Sequence, residues 1–196
     1  MWTMRILLTI IMLGGFLKPL KASDLSDLSL EDFLQLERFY DTIELDQIDT
    51  EMIELGVWHL SNVYRLKNGK LLLEYDVNLD SAAQLHSNQM QHYSFFGHDN
   101  KKNKAFGTLY KRVEVAGYNN WWFLSENIYS SFISISSPPR YIDICLEIVQ
   151  AFIDSKGHRE NLLSTDVNEM GCGIQFDTSS AYGWLDYYFT ENFGRR

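Results

Sequence analysis

Apolar side chains recur every three to four residues through the central part of the chain, which is the spacing of helices that bury one face. Four such helices are predicted: over residues 50–66, from about 79 to 93, from 108 to 117, and from 138 to 157. Their expected boundaries are an Asn-Gly pair at 68–69, Thr108 as an N-cap, a Pro-Pro pair at 138–139, and Gly157 as the end of the fourth helix.

The apolar period changes to two near the end of the chain. Apolar residues from Met170 to Phe176 alternate with Gly171, Gly173 and Gln175, and a second alternating run extends from Leu185 to Phe189. This pattern predicts two strands joined by a turn around residues 179–183. Helices first and strands last indicate an α+β layered domain rather than a doubly wound one.

A short helix is also predicted in an acidic segment near the N-terminus. Phe33, Leu36, Tyr40 and Ile43 follow helical spacing, with Ser29 as a possible N-cap. Residues 24–51 hold ten acids and one base, so a solvated acidic leader is the alternative interpretation. We expect this segment, residues 23–50, to pack on the main domain at 51–196.

The first 22 residues are typical of a signal peptide. A short positive start is followed by the apolar run from Ile6 to Leu17 and then by the small residue Ala22. An uncleaved membrane anchor is the alternative, but this run is shorter than a bilayer span. We therefore expect export to a secreted or periplasmic location, with no stable membrane span after cleavage.

Composition narrows the possible partners. Of 196 residues, 45% are apolar and 22% charged, which fits an ordinary globular protein, and the net charge is −9. Because this charge opposes binding to polyanions and no basic stripe is visible, we expect no nucleic-acid partner.

Two histidines and one glutamate are the best candidates for a site. His98 follows a predicted helix, His158 follows Gly157, and Glu126 lies in a polar triplet bounded by apolar residues. Two imidazoles and a carboxylate suit Zn²⁺ or a similar divalent cation, although a hydrogen-bonded cluster without metal is equally sound. His59, His86 and His92 lie inside predicted helices and are interpreted as helix surface or satisfied core positions.

Motifs for other chemistries are missing from the sequence. It has no His-Glu-x-x-His helix and no Gly-x-Ser-x-Gly elbow. Cys145 and Cys172 lie on apolar faces, which disfavours a cysteine nucleophile, and whether they form a disulfide stays open.

Four short segments in a fixed order resemble a known family. They are Asn-Leu-Asp-Ser-Ala-Ala-Gln-Leu-His-Ser-Asn-Gln-Met from residue 78 with Phe-Phe-Gly-His ending at 98, Ser-Glu-Asn-Ile at 125–128, Ser-Lys-Gly-His-Arg-Glu-Asn-Leu-Leu at 155–163, and a C-terminal Gly-Cys-Gly with Phe-Gly. Together, over residues 54–194, they resemble the bacterial branch of the CAP superfamily, whose module is also called the SCP domain.

The resemblance implies a three-layer α-β-α sandwich with a central cleft. His98, Glu126 and His158 match cleft residues that can hold a divalent metal, and Arg159 and Asn161 match positions expected to fix the second histidine by hydrogen bonds. Ser125 replaces the family's usual glycine. A second cleft glutamate has no clear counterpart, since Glu147 lies at an unmatched distance, and the disulfides of eukaryotic relatives are absent.

Three functions follow as hypotheses. The first is a binding module for a divalent metal and an extracellular lipid, sterol or cell-envelope ligand, with Trp121 and Trp122 lining the cleft. The second is a metal-dependent hydrolase or peptidase in which Glu126 is the base. The third is a structural cluster that only braces the loops.

Overall fold

The computed structural model describes residues 28–179 and 183–196, so the predicted signal peptide and the tip of the predicted C-terminal turn lie outside the described residues. The helices and strands of the described part, in chain order, are α1 (Leu30–Leu34), a 3-10 helix (Glu37–Tyr40), α2 (Thr50–Lys67), β1 (Glu74–Tyr75), α3 (Val77–His92), α4 (Leu109–Val115), β2 (Phe123–Ser134), α5 (Tyr141–Asp154), α6 (Lys156–Leu162), β3 (Glu169–Asp177) and β4 (Trp184–Arg195).

The first three predicted core helices are confirmed, each with a side-chain cap. Asp49, Asp76 and Thr108 accept hydrogen bonds from backbone amides in the first turns of α2, α3 and α4. Gly69 and Gly117 follow the ends of α2 and α4 with φ of 67° and 89°, a conformation that glycine adopts without strain.

The predicted end of the fourth helix is wrong. Helix α5 ends at Asp154, and the chain is extended at Ser155, with φ −84° and ψ 122°. Gly157 lies inside the next helix, α6, rather than in a terminating loop. His158 is therefore held in the first turn of a helix and not on a glycine-hinged loop.

The sheet has four strands in the order β1-β3-β4-β2 within the described residues. The predicted hairpin of β3 and β4 is confirmed as an antiparallel pair, with Gly173 opposite Thr190. The two outer strands were not predicted. Strand β1 has only two residues, and polar residues such as Ser125, Glu126 and Asn127 interrupt the apolar alternation of β2.

Helices cover both faces of the sheet, which gives the expected three-layer α-β-α arrangement. Helices α3 and α4 pack on one face, and α2 and α5 form the layer on the other. Gly171 and Gly173 explain how closely α3 packs, because a Cβ at either position would overlap the α3 backbone at Asp80 or Gln84. The glycines that alternate along β3 therefore mark the surface under α3.

The larger apolar core lies between the sheet and the α2–α5 layer. The N-terminal segment contributes Phe33, Phe39 and Ile43, all buried there, so from residue 28 onward it is not a solvated leader. Ser29 caps α1 as expected, but the predicted single helix is replaced by α1 and a separate 3-10 helix. The domain boundary placed at residue 51 stays a prediction.

Both cysteines are buried in this core as free thiols. The Cys145 thiol lies 3.5 Å from the Ile53 carbonyl oxygen of α2, and burial raises its pKa. A buried, protonated thiol is a packing group rather than a nucleophile. No helix among the described residues has the length and apolar character needed to cross a bilayer.

Candidate functional site

The candidate site is built around Glu126 on the edge strand β2. Its side chain is 3% exposed, and both carboxylate oxygens accept hydrogen bonds from charged or polar groups. His98 Nδ1 lies 2.9 Å from Oε1, and Arg112 Nη2 lies 2.7 Å from Oε2. Two of the predicted site residues, His98 and Glu126, are thus in direct contact.

Arg112 connects the parts of this site. It lies on α4 with no exposed surface, and besides Glu126 it donates to the carbonyl oxygens of His98, at 3.2 Å, and Phe106, at 3.3 Å. One guanidinium therefore fixes the carboxylate and the loop that carries His98. Arg112 was not predicted as a site residue, since its signal in the sequence was that of a basic residue next to the apolar face of a predicted helix.

Glu126 is ionised despite its burial. Burial alone would raise its pKa, but the hydrogen bond from His98 and the positive charge of Arg112 outweigh that effect and hold the pKa below the usual value. Asn192, its partner across the β2–β4 pair, can donate an amide hydrogen bond to Oε2 at 3.2 Å when its amide is turned so that its own oxygen accepts from the Ala83 amide. In turn, the hydrogen bond to Glu126 raises the pKa of His98.

His86 supports the site from beneath. Its imidazole on α3 is fully buried, with Nε2 3.1 Å from the Gly97 carbonyl oxygen and 3.7 Å from Glu126 Oε1. Burial lowers the pKa of His86 to about 4, so the ring is neutral and donates to Gly97. Through this hydrogen bond, His86 holds Gly97, the residue before His98. The prediction of a core histidine with a hydrogen-bond partner is confirmed for Nε2, the ring nitrogen that makes this bond.

His158 reaches the site from the other side of the edge strand. Its ring packs edge-on against Phe152, 5.2 Å between centroids, and burial together with the nearby charge of His98 lowers its pKa. Asn127, next to Glu126 on β2, donates to the His158 carbonyl oxygen at 3.2 Å. The His158 backbone is thus joined to the neighbour of Glu126 on β2, while its ring comes from a different layer than that of His98.

The remaining predicted site residues divide into two pairs. Asn161 donates to the Glu126 carbonyl oxygen and to Asn127 Oδ1, at 3.3 and 2.8 Å, and Arg159 donates to the Ile153 carbonyl oxygen at the end of α5. Trp121 stacks on Tyr110, whereas Trp122 is exposed with the Arg195 guanidinium over its ring.

A pocket of about 300 Å³ opens beside the Glu126 carboxylate. Its walls come from β2, from the loop that carries His98 and from the start of α4. The residues that line it are His98, Asp99, Thr108, Leu109, Tyr110 and Glu126. His158, Trp121 and Trp122 are outside this lining, but Trp121 forms the layer behind Tyr110.

A second buried carboxyl, missed from sequence, lies on the opposite face of the sheet. Glu191 of β4 accepts hydrogen bonds from Ser61 at 3.1 Å and from Asn127 at 3.0 Å. Burial raises its pKa to about 8 because these neutral donors, with the more distant Arg65, offset only part of the cost. The apolar alternation in the sequence ends at Phe189, two residues before Glu191, so it did not mark this acid as buried.

The donor set determines which residues suit a metal. Across residues 28–179 and 183–196, no group of three His, Cys, Asp or Glu side chains is placed to hold a metal ion. Both oxygens of Glu126 already accept hydrogen bonds, one of them from a guanidinium, so the imidazoles of His98 and His158 fit a cation better than this carboxylate does. The three-ligand site stays a prediction.

The chain is similar in sequence to known proteins. Residues 58–193 match the model of the cysteine-rich secretory protein family, CAP. The chain is 29% identical over 143 residues to the uncharacterized membrane protein YlbC of Bacillus subtilis, covering 73% of this chain and 34% of YlbC. It is also 29% identical over 120 residues to the uncharacterized protein YkwD of Bacillus subtilis, covering 61% of this chain and 41% of YkwD.

Solved structures share the fold. An extracellular SCP-domain protein from Bacillus anthracis superimposes with a TM-score of 0.59 at 22% identity, covering 80% of this chain and 45% of that one. An outer surface protein of Borrelia burgdorferi gives a TM-score of 0.54 at 19% identity, covering 71% and 90%. The chain thus spans less than half the length of the two Bacillus subtilis relatives and of the Bacillus anthracis protein.

Proposed function

The chain belongs to the cysteine-rich secretory protein family, CAP, and from this premise we propose that the cleft at His98 is a binding site of an exported protein rather than a hydrolytic centre. The cleft takes a divalent cation through two imidazoles and presents the adjacent pocket to a cell-envelope ligand. A location outside the cytoplasm follows from the predicted signal peptide and is supported by the extracellular and outer-surface proteins that share the fold.

The single observation that carries this proposal is the double pairing of Glu126. A general base must have an accessible oxygen and a pKa near the working pH. Glu126 is buried, both of its oxygens accept hydrogen bonds, and its pKa is lowered. It therefore suits a fixed negative charge that orients His98, and it is a poor base for activating water in the hydrolase alternative.

The orientation of His98 favours cation binding. Because Glu126 is an acceptor only, the hydrogen bond places the proton of the neutral ring on Nδ1 and leaves the Nε2 lone pair available. The side chain is 55% exposed, so a cation can reach it from solvent. With His158 as the second donor, such a cation would offer an electrophilic contact to an oxygen-bearing ligand.

Zinc titration tests this proposal. Calorimetry at pH 8 is expected to show saturable uptake of Zn²⁺ by the wild-type protein, weakened tenfold or more in His98→Ala and in His158→Ala. His92→Ala is the matched control, since His92 is exposed at the end of α3 and outside the site. A hundredfold excess over the dissociation constant should stabilise the fold by about 2.7 kcal/mol.

Two outcomes would contradict the proposal. Absence of saturable uptake, or uptake unchanged by both histidine substitutions, would leave the cluster as a structural brace. Turnover of a peptide and ester panel by zinc-loaded protein, abolished in His158→Ala, would establish the hydrolase instead.

A further inference from the structure

A patch of positive charge borders the pocket of this acidic protein. Residues 100–113 contain five bases and no acid, whereas the whole chain has a net charge of −9. Arg112 is buried against Glu126, and the other four bases are exposed lysines. They are Lys101, Lys102, Lys104 and Lys111, which we call the lysine rim.

The loop that carries most of the lysine rim is closed at the pocket. The Asn100 amide donates to the Gly107 carbonyl oxygen at 2.9 Å, which brings the two ends of the loop together. The residues just outside this closure, Asp99 and Thr108, both line the pocket. The lysine rim therefore adjoins the residues that line the pocket beside His98, and Asp99 and Glu126 are the two acids of that lining.

Two lysines of the rim are tied to the backbone and two are available. Lys102 Nζ donates to the Tyr93 carbonyl oxygen at 2.8 Å, and Lys111 Nζ donates to that of Lys104. In the part of the chain that the structure describes, the ammonium groups of Lys101 and Lys104 have no protein partner. An anion at the entrance can pair with them without breaking an existing contact.

An aromatic surface lies next to this charge. Tyr110 stacks on Trp121 with ring centroids 5.2 Å apart and planes 20° apart, so one face of its ring is covered. Tyr110 nevertheless remains 53% exposed and lines the pocket. A rigid ring with one supported face and one open face is a platform for a flat ligand with apolar C–H groups, such as a sugar ring.

The pocket lining argues against a lipid or sterol as the occupant. Sites for apolar ligands are lined predominantly by hydrophobic side chains. Here four of the six lining residues are polar or charged, and two of those four, Asp99 and Glu126, are acids. Hydroxyl groups find partners in such a lining, whereas a hydrocarbon chain would desolvate its polar groups without compensation.

We propose that the pocket and the lysine rim bind an anionic glycan, with a sugar ring stacked on Tyr110 and its acid groups paired with Lys101 and Lys104. This inference rests on the proposed function in that the cleft is a binding site, and it narrows the ligand to a negatively charged polysaccharide. The acidic segment at residues 24–51 cannot serve in this way, because its charge has the same sign as the ligand's.

Three polymers separate charge from sugar recognition. Oligogalacturonate carries sugar rings and carboxylates, dextran carries sugar rings alone, and poly-glutamate carries carboxylates alone. In EDTA at low salt, we expect oligogalacturonate to bind at least tenfold more tightly than either of the others. Its affinity should fall as salt is added, because exposed charges are screened.

Matched variants locate the site. Tyr110→Ala and the double variant Lys101→Ala with Lys104→Ala should each weaken oligogalacturonate binding tenfold or more. Lys67→Ala and Phe132→Ala should leave it unchanged, since Lys67 ends α2 in the layer on the opposite face of the sheet and Phe132 lies six residues along β2 from Glu126. Thermal melts of all four variants exclude a folding defect.

Several results would overturn this inference. If poly-glutamate bound equally well, charge attraction alone would explain binding and the sugar ring would have no role. If dextran bound equally well, the lysine rim would have no role. Absence of oligogalacturonate binding, or binding unaffected by Tyr110→Ala, would also contradict it. Because EDTA removes metal from this assay, and because the lysine variants should take up Zn²⁺ normally, its failure is distinguishable from failure of the proposed cation site.

Discussion

A strand residue buries its carboxyl group on each face of the sheet, Glu126 on one face and Glu191 on the other, and these two groups differ in charge. Glu126, under α3 and α4, is paired with a buried guanidinium, and its pKa is lowered. Glu191, under α2, accepts hydrogen bonds from the hydroxyl of Ser61 and the amide of Asn127, both uncharged, and its pKa is raised to about 8. Burial is similar, so the partner decides the charge.

This difference in charge separates a carboxyl group that serves the site from one that is part of the core. On the pocket face a permanent negative charge orients His98 towards solvent. On the opposite face a protonated carboxyl completes a neutral hydrogen-bonded group within the core. Asn127 and Asn161 connect the two, since Asn161 contacts both the Glu126 backbone and the Asn127 side chain.

Removing the Arg112 guanidinium should abolish the difference in charge between Glu126 and Glu191, and it gives the largest expected effect on stability. Arg112→Met leaves Glu126 buried without its cation, which should lower the free energy of unfolding by about 3–5 kcal/mol in urea titrations at pH 7. The double variant Arg112→Met with Glu126→Gln should recover part of this loss, because no buried charge is then left unpaired. A single variant as stable as wild type would show that Glu126 is not held by Arg112.

Neutralising the second carboxyl should have a smaller effect that depends on pH. Because its folded pKa is raised above the unfolded value, Glu191 binds a proton that the unfolded chain has lost. The wild-type free energy of unfolding therefore falls as pH rises from about 4.5 through about 8. Glu191→Gln should match wild type near pH 5 and exceed it by several kcal/mol, at most about 4 kcal/mol, at pH 9.

The Glu191 comparison needs the difference between variant and wild type rather than the wild-type curve alone. Glu54, whose pKa burial raises to about 9, adds a dependence of the same sign, and this cancels in the difference. A difference that stays constant from pH 5 to pH 9 would mean that Glu191 is ionised in the folded protein, like Glu126.

Breaking the connection between the faces should have the smallest effect. Asn161→Ala removes two hydrogen bonds and should cost about 1 kcal/mol in the same urea titrations. Asn119→Ala is the control, because Asn119 is exposed and bonds only to the nearby Gly117 carbonyl oxygen, so its loss should stay within about 0.5 kcal/mol. Equal effects of the two substitutions would show that Asn161 does not connect the two faces of the sheet.

Local signals were sufficient to predict part of this fold. Caps and glycines mark helix ends within a few residues of sequence, so α2, α3 and α4 and the β3–β4 hairpin were predicted correctly. The end of α5 was not, because the chain turns at Ser155 while Gly157, the expected terminator, adopts helical geometry. Strand β2 was not predicted, because the polar residues of the site interrupt its apolar alternation.

The residues missed at the site share a different cause. Arg112, His86 and Glu191 acquire their roles from partners elsewhere in the fold, 11 to 130 positions away along the chain. Such contacts depend on how strands and helices pair in space, which no local pattern encodes. His98 and Glu126 were identified because short motifs surround them.

The most direct test of the central claim, that an ionised Glu126 holds the Nδ1 proton of His98, is the protonation state of that ring. Long-range ¹H–¹⁵N NMR spectra recorded from pH 5 to pH 9, assigned against His98→Ala, report which nitrogen carries the proton. We expect a neutral ring protonated on Nδ1 at pH 9 and a pKa raised from the ordinary histidine value for His98, with a lowered pKa for His158. A His98 ring protonated on Nε2 at pH 9, with a pKa at or below the ordinary histidine value, would contradict this claim.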